Sequence, residues 1–266
     1  MNQKALIVAI DDYGSSHFNL HGCLNDAREW KRVLTELAGV PCANIRELLD
    51  KDATKKNVLA DLRWLFDAEP ADRLYFVFSG HGSWGVHRTD DGNVVADECL
   101  LLTDNTQFWD DWLATKSRES AAERQIFVID ACYSGGMDKD GPGGQGSKSV
   151  PPSAPPPQGA ARKHFGDSFA GAGKADEAGE QTIKGVLFAA TSEDETSPPP
   201  SEETENLSPF TFAVIRVLKA QGNKLPLKAI HAGAANVLEE TGFTQQPTLK
   251  GAPALMCEAV FAPPDQ

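Results

Sequence analysis

Two polar residues stand just past the ends of two long apolar runs. The run IFVID, Ile126 to Asp130, leads through Ala131 to Cys132 and a turn containing Gly135 and Gly136, and the run YFVFS, Tyr75 to Ser79, leads through Gly80 to His81 and Gly82. A thiol becomes a good nucleophile when it is held as a thiolate, and a neighbouring imidazole is a common means of doing so. Taken singly, a Cys is most often a small buried apolar residue, and a lone His is most often a satisfied structural one. Two runs of one design that end in a thiol and an imidazole would bring the pair side by side. The chemistry this points to is attack by Cys132 with His81 as base.

The elements that must position this pair follow from the same pattern. Continuous apolar runs are the strands of a parallel sheet buried on both faces, and ligands bind such sheets outside the carboxyl ends of the strands. Lys4 to Ile10 is another such run, ended by Asp11 and Asp12. Leu24, Ala27, Trp30, Leu34 and Leu37 recur at helical spacing and predict an amphipathic helix stopped by Gly39 and Pro41. Asn25 and Asp26 fall in its first turn, where the helix dipole favours a carboxylate. Ile45 to Leu49 reads as a short strand, and Asp52 or Thr54 can cap a helix carrying Val58, Leu62, Leu65 and Phe66 on one face. Beyond His81 the pattern predicts a short strand at Cys99 to Leu102, a helix holding Asp110 and Asp111, and the strand GVLFAAT ending at Thr191. A helix at Phe210 to Ala220, another marked by Leu227, Ile230, Val237 and Leu238, and a last strand within Pro253 to Phe261 complete the chain. The repeated strand, helix, strand order predicts a doubly wound α/β fold.

Composition narrows the class further. The 266 residues, 41% of them hydrophobic, suffice for one large core. A net charge of -13 argues against a nucleic-acid or anionic-membrane surface. The five cysteines show neither close metal-ligand pairs nor disulfide-scaffold density, so reduced thiols are expected. The opening MNQKALIVAI has too short an apolar run for a signal peptide, and no stretch approaches the length of a membrane span, so a cytoplasmic protein is expected. Residues 137–182 are dominated by Gly, Pro, Ser and Ala, with PPSAPPPQ at their centre. Such a segment cannot bury enough surface to fold alone, and inside a compact domain it is either a functional element or a linker.

The interval of about 50 residues from His81 to Cys132 is that of the caspases, although Asp130 and Ala131 stand where a caspase has its leading Gln. The blocks YFVFSGHGS and IDACYSGG, with GCLNDA, GVLFAATSEDETS, PFTFAVIRVL and TQQPTLKGAP, instead resemble the metacaspases, caspase-like cysteine peptidases of plants, fungi, protists and bacteria. The resemblance runs from Ala5 to about Val260. It implies a caspase-like three-layer sandwich with a mainly parallel six-stranded sheet, formed by a single peptidase domain. In it, 1–136 carries the His and Cys, 137–182 is the insertion, and 183–266 is the small-subunit-like portion. It also implies an endopeptidase that cuts protein or peptide substrates after Arg or Lys by a Cys132 and His81 dyad, with no third member assigned; a monomer is expected.

The glycines beside each residue make the N–H groups of Gly82 and Cys132 the candidate oxyanion donors. By resemblance Asp26, Asp130, Cys23 and Ser79 form an acidic specificity pocket, and paired carboxylates suit a guanidinium. Spacing alone gives no metal site, since the EF-hand pattern is absent. The resemblance implies Ca²⁺ held by Asp97, Asp110 with Asp111, and either Asp138 or Asp140. It also implies self-cleavage near Lys139, Lys148, Arg162, Lys163, Lys174 or Lys184. The competing readings are a caspase-like peptidase preferring Asp and a catalytically silent caspase-fold interaction module. Nucleotide binding through SGHGSWG lacks both the dinucleotide spacing and the P-loop Lys.

Overall fold

A computed structural model describes residues 1–16, 18–88, 94–131, 161–163, 184–190 and 201–264. Its centre is a six-stranded sheet built from β1 (Gln3–Ala9), β2 (Ile45–Leu49), β3 (Arg73–Ser79), β7 (Arg124–Asp130), β9 (Val186–Ala189) and β10 (Thr248–Gly251). The order is β10-β9-β7-β3-β1-β2, parallel throughout except for the antiparallel β10. Every residue of β3 is buried, as expected of a strand covered on both faces.

The two faces can be read from ring contacts. Phe76 and Phe127, opposite each other in register, pack edge to face, and Phe127 meets Phe66 on α2 (Lys55–Phe66), which packs beside α3 (Asp110–Glu119). On the other face Tyr75 stacks on Phe261, and Phe188 packs on Phe210 of α4 (Pro209–Gln221) and His231 of α5 (Leu227–Glu240). The first helix, α1 (Cys23–Arg32), lies on this second face, where Trp30 reaches both Phe261 and Thr211. Helices on both faces of a mainly parallel sheet make the three-layer sandwich that the sequence predicts. Thr54 caps α2 through its hydroxyl, which accepts from the Asn57 N–H.

The structure differs from the sequence reading in three places. The expected strand within Pro253 to Phe261 is instead a helical turn, α6 (Pro253–Met256), and the closing strand is β10 just before it. Gly251, at φ +123°, passes so close to β9 that a Cβ would lie 2.4 Å from the Gly185 carbonyl oxygen, and Pro253 then opens a helix at its favoured first position. Beyond His81 lies a second sheet: β4 (Gly82–Arg88), β5 (Val94–Leu101) and β6 (Gln107–Trp109) pair antiparallel, and β5 is longer than the predicted Cys99 to Leu102. Within the Gly- and Pro-rich insertion, β8 (Ala161–Lys163) pairs parallel with β5. The remainder of 137–182 lies outside the described residues.

Candidate active site

β3 and β7 run parallel and in register, so Ser79 and Asp130 lie opposite each other at their carboxyl ends. The Gly80 N–H donates to the Asp130 carbonyl at 3.2 Å, and the chain then leaves the central sheet to enter β4. His81 occupies this junction and is 3% exposed. Its main chain is held on both sides: the His81 N–H donates to Tyr13 Oη at 2.8 Å, and the His81 carbonyl accepts the Leu101 N–H at 3.0 Å. Its ring packs on that of Tyr13, with centroids 4.6 Å apart.

His81 Nε2 lies 2.6 Å from the Phe18 carbonyl oxygen. A carbonyl can only accept, so this is the geometry of a ring protonated at Nε2, which in the neutral imidazole puts the basic lone pair on Nδ1. The sequence assigned no third partner to His81, and none could be seen there, because Phe18 contributes only a main-chain atom.

The loop that supplies Tyr13 and Phe18 is anchored by two carboxylates. Asp50, at φ +45°, accepts the N–H groups of Asp11 and Asp12 at 2.8 and 2.9 Å on one oxygen. Asp11 in turn accepts from Cys23 at 2.9 Å and Leu24 at 3.4 Å, a carboxylate at the α1 N-terminus where the dipole favours it. Asn19 Oδ1 accepts the Tyr13 N–H at 2.9 Å.

The bond from the Leu101 N–H to the His81 carbonyl makes Gly82 and Leu100 a pair that exchanges no main-chain hydrogen bonds, which turns the Gly82 N–H away from β5. That orientation suits an oxyanion donor. Cys132, expected to supply both the nucleophile and the second donor, lies outside the described residues, one position beyond buried Ala131.

The residues expected to form an acidic pocket lie together at this end of the sheet. Asp26 on α1, wholly buried, accepts the Ser79 hydroxyl at 2.7 Å, the Ser208 hydroxyl at 2.5 Å and the Ser208 N–H at 2.9 Å. Asp130, also buried, accepts the Thr211 hydroxyl at 2.9 Å, and Thr211 accepts the Trp30 indole N–H at 3.2 Å. Ser79 and Asp130 share a face of the sheet, so the two carboxylates meet at one end of it, tied together by the first turn of α4. Cys23 is the first residue of α1, buried one turn before Asp26. Ser208 and Thr211 escape sequence reasoning, which placed this helix but saw no reason to single out hydroxyls within it.

The predicted calcium ligands divide. Asp97 is buried on β5, while Asp110 and Asp111 open α3 directly after Trp109, which pairs with Cys99 on that same strand. The ladder thus brings their backbone to the neighbourhood of Asp97. Asp138 and Asp140 lie outside the described residues, and among the described residues no group of three or more His, Cys, Asp or Glu side chains is arranged to hold a metal ion. Cys99, also on β5, is no rival nucleophile: burial pushes its thiol well above the usual range, and the charges of Asp97 and Glu98 add to this. A surface cavity of about 260 Å³ along α4, lined by Leu207, Phe212, Ile215, Arg216 and Lys219, contains none of these residues.

Comparison with known proteins places this geometry. The chain is 33% identical to Metacaspase-4 of Arabidopsis thaliana over 147 residues, covering 52% of this chain and 34% of that protein. It is 35% identical to Metacaspase-1 of Plasmodium falciparum over 150 residues, covering 50% and 24%. The chain therefore spans about a quarter to a third of the length of these curated relatives. The crystal structure of protein GSU0716 from Geobacter sulfurreducens superposes with a TM-score of 0.67 at 18% identity, covering 98% of this chain and 99% of that one, a likeness of fold. Residues 2–254 match the family described as caspase domain, and with the Cys and His blocks at the ends of β7 and β3 the chain belongs to that family.

Proposed function

We propose that the chain is a cysteine endopeptidase of metacaspase type that cuts peptide bonds after Arg or Lys. The observation that carries this reading is the His81 imidazole, fixed by the Phe18 carbonyl 2.6 Å from Nε2 and standing at the sheet end beside the paired carboxylates Asp26 and Asp130. With Nε2 protonated, Nδ1 receives the Cys132 thiol proton and later returns it to the leaving amine. The thiolate sulfur bonds to the scissile carbonyl carbon. The resulting oxyanion takes hydrogen bonds from the N–H groups of Gly82 and Cys132, the carbon–nitrogen bond breaks, and water hydrolyses the thioester. Two carboxylates at one end of the sheet attract a guanidinium or ammonium and repel an Asp side chain. That favours basic substrates over the Asp-preferring alternative, and an intact Cys and His pair argues against a silent module.

Carboxylate-only donors fit a hard cation, so Asp97, Asp110, Asp111 and one of Asp138 and Asp140 are the groups proposed to hold Ca²⁺. Bound there, the ion would neutralise their mutual repulsion. Self-cleavage is proposed within 137–182, between the portion 1–136 and the portion 183–266. No helix among the described residues is long and apolar enough to cross a membrane, and a monomer in the cytoplasm remains the proposal for state and place.

The deciding experiment incubates the purified protein with fluorogenic Arg, Lys and Asp peptides, with and without calcium, beside Cys132→Ala. Cleavage of Arg and Lys peptides by the wild type alone is the expected result. Preference for Asp, or turnover by Cys132→Ala, overturns it.

A further inference from the structure

Tyr13 belongs to neither the proposed reaction nor the acidic pocket, yet it is buried against the imidazole. Its hydroxyl accepts the His81 N–H at 2.8 Å and donates to the Leu101 carbonyl at 3.3 Å, while the Leu101 N–H donates to the His81 carbonyl at 3.0 Å. These three bonds close a ring through Tyr13, His81 and Leu101. It sits where the chain leaves the central sheet, and the hydroxyl joins the β3–β4 junction to the end of β5.

Gly80 is shaped to this contact. A Cβ there would stand 2.7 Å from Tyr13 Oη and 3.0 Å from the Phe78 ring, so no larger residue leaves the hydroxyl in place.

We infer that Tyr13 is a positioning residue for His81: through the main chain it sets where the imidazole stands, while the Phe18 carbonyl sets which nitrogen carries the proton. The inference rests on the peptidase reading for its kinetic consequence but not for its structural one. The pocket carboxylates are held by Ser79, Ser208 and Thr211, so Tyr13 can be perturbed without touching them.

The test is a double-mutant cycle with Tyr13→Phe and Gly80→Ala. Each single variant is expected to lower kcat on an Arg peptide by about tenfold to a hundredfold, the effect of misplacing a reacting group by roughly an ångström, with KM unchanged. The double variant is expected to lose less than the product of the two single losses, because without the hydroxyl the alanine Cβ has only the Phe78 ring, 3.0 Å away, left to displace. Retention of wild-type kcat by Tyr13→Phe, a loss that falls on KM instead, or losses that multiply in the double variant would each overturn the inference.

A second readout needs no turnover. In ¹⁵N spectra of the wild type the His81 ring should show one fixed tautomer, protonated at Nε2, and in Tyr13→Phe, where the displaced ring loses its bond to the Phe18 carbonyl, that signal should shift toward the average of the two tautomers. An unchanged His81 spectrum defeats the inference even if the wild type cleaves nothing, whereas an inactive wild type with a shifted spectrum defeats only the peptidase reading.

Discussion

Asp26 accepts two hydrogen bonds from Ser208, one from its main chain at 2.9 Å and one from its hydroxyl at 2.5 Å. The first turn of α4 is thereby locked onto a carboxylate of α1 that has no access to solvent. Ser208→Ala removes one of these bonds from a buried charge and should cost about 1.5 to 3 kcal/mol of stability. It should also raise KM for Arg peptides while sparing kcat, since His81 is held independently. Urea denaturation and steady-state kinetics check both halves, and unchanged stability would mean that water replaces the hydroxyl.

Cys132→Ala and His81→Ala should each abolish cleavage and leave the fold intact, because both stand past strand ends. The two losses should not add, as is usual for residues acting as one unit. Circular dichroism establishes folding, and a His81→Ala variant retaining a large share of wild-type kcat would remove His81 from the reaction.

The fold was legible where apolar runs and helical stripes are long. β1, β3, β7 and α4 fall within a residue or two of where the pattern puts them, while the stripe read as one helix to Leu37 is α1 to Arg32 followed by a π-helical turn at Val33–Leu37. The second sheet was not, because β4 is rich in Gly and polar residues and carries no apolar run, although the Asp91 and Gly92 dipeptide between β4 and β5 is a hairpin signal. At the site, the strand-end pattern singled out His81, while Asp26, Asp130 and Ser79 came only from the resemblance to metacaspases. Phe18 was invisible because it acts through its carbonyl. Tyr13 and Ser208 were hidden because only the tertiary fold brings them, 68 and 182 residues away in sequence, against His81 and Asp26.

Binding of Ca²⁺ should be measurable by calorimetry on the Cys132→Ala protein, free of any cleavage. Asp97→Asn and the pair Asp110→Ala with Asp111→Ala should each weaken it by tenfold or more, about 1.4 kcal/mol. Identical titrations in all three proteins would return these carboxylates to structural roles.

Stability should decline in alkali. Burial raises the Tyr75 hydroxyl from 10.0 to about 12, raises Tyr13 well above 10.0, and raises the Cys99 thiol above 9.0. A group whose folded pKa is raised favours folding fully below its unfolded pKa and loses that contribution as pH climbs to the folded value. The decline should therefore begin near pH 9 with Cys99. Tyr75 alone should remove about 2 to 3 kcal/mol between pH 10 and about 12. Urea midpoints across this range are the measurement. Tyr75→Phe should show a shallower decline, and the same slope in that variant would contradict the assignment.

Self-cleavage, if the insertion is a substrate, should favour some basic residues over others. Lys184 donates to the Ser120 carbonyl at 2.7 Å, and the backbone of Arg162 and Lys163 is paired in β8. A protease needs an extended, unpaired segment, so breaks after Arg162, Lys163 and Lys184 should come late in the order. Mass spectrometry of wild type and Cys132→Ala held with calcium reads the sites directly. Primary cleavage after Lys184 would contradict this order.

The crossover from β7 to β9 joins adjacent, in-register strands, and the bonds donated by Ser208 to Asp26, by Thr211 to Asp130 and by Trp30 to Thr211 span the same break in sequence. The covalent chain through 137–182 is thus not what keeps the two portions together. A nicked molecule would migrate as two bands under denaturing conditions yet elute as one native particle, with its buried carboxylates still shared between the fragments. Cleavage there would act as an irreversible mark on the surroundings of the nucleophile, while the folded body itself persisted as a two-chain complex.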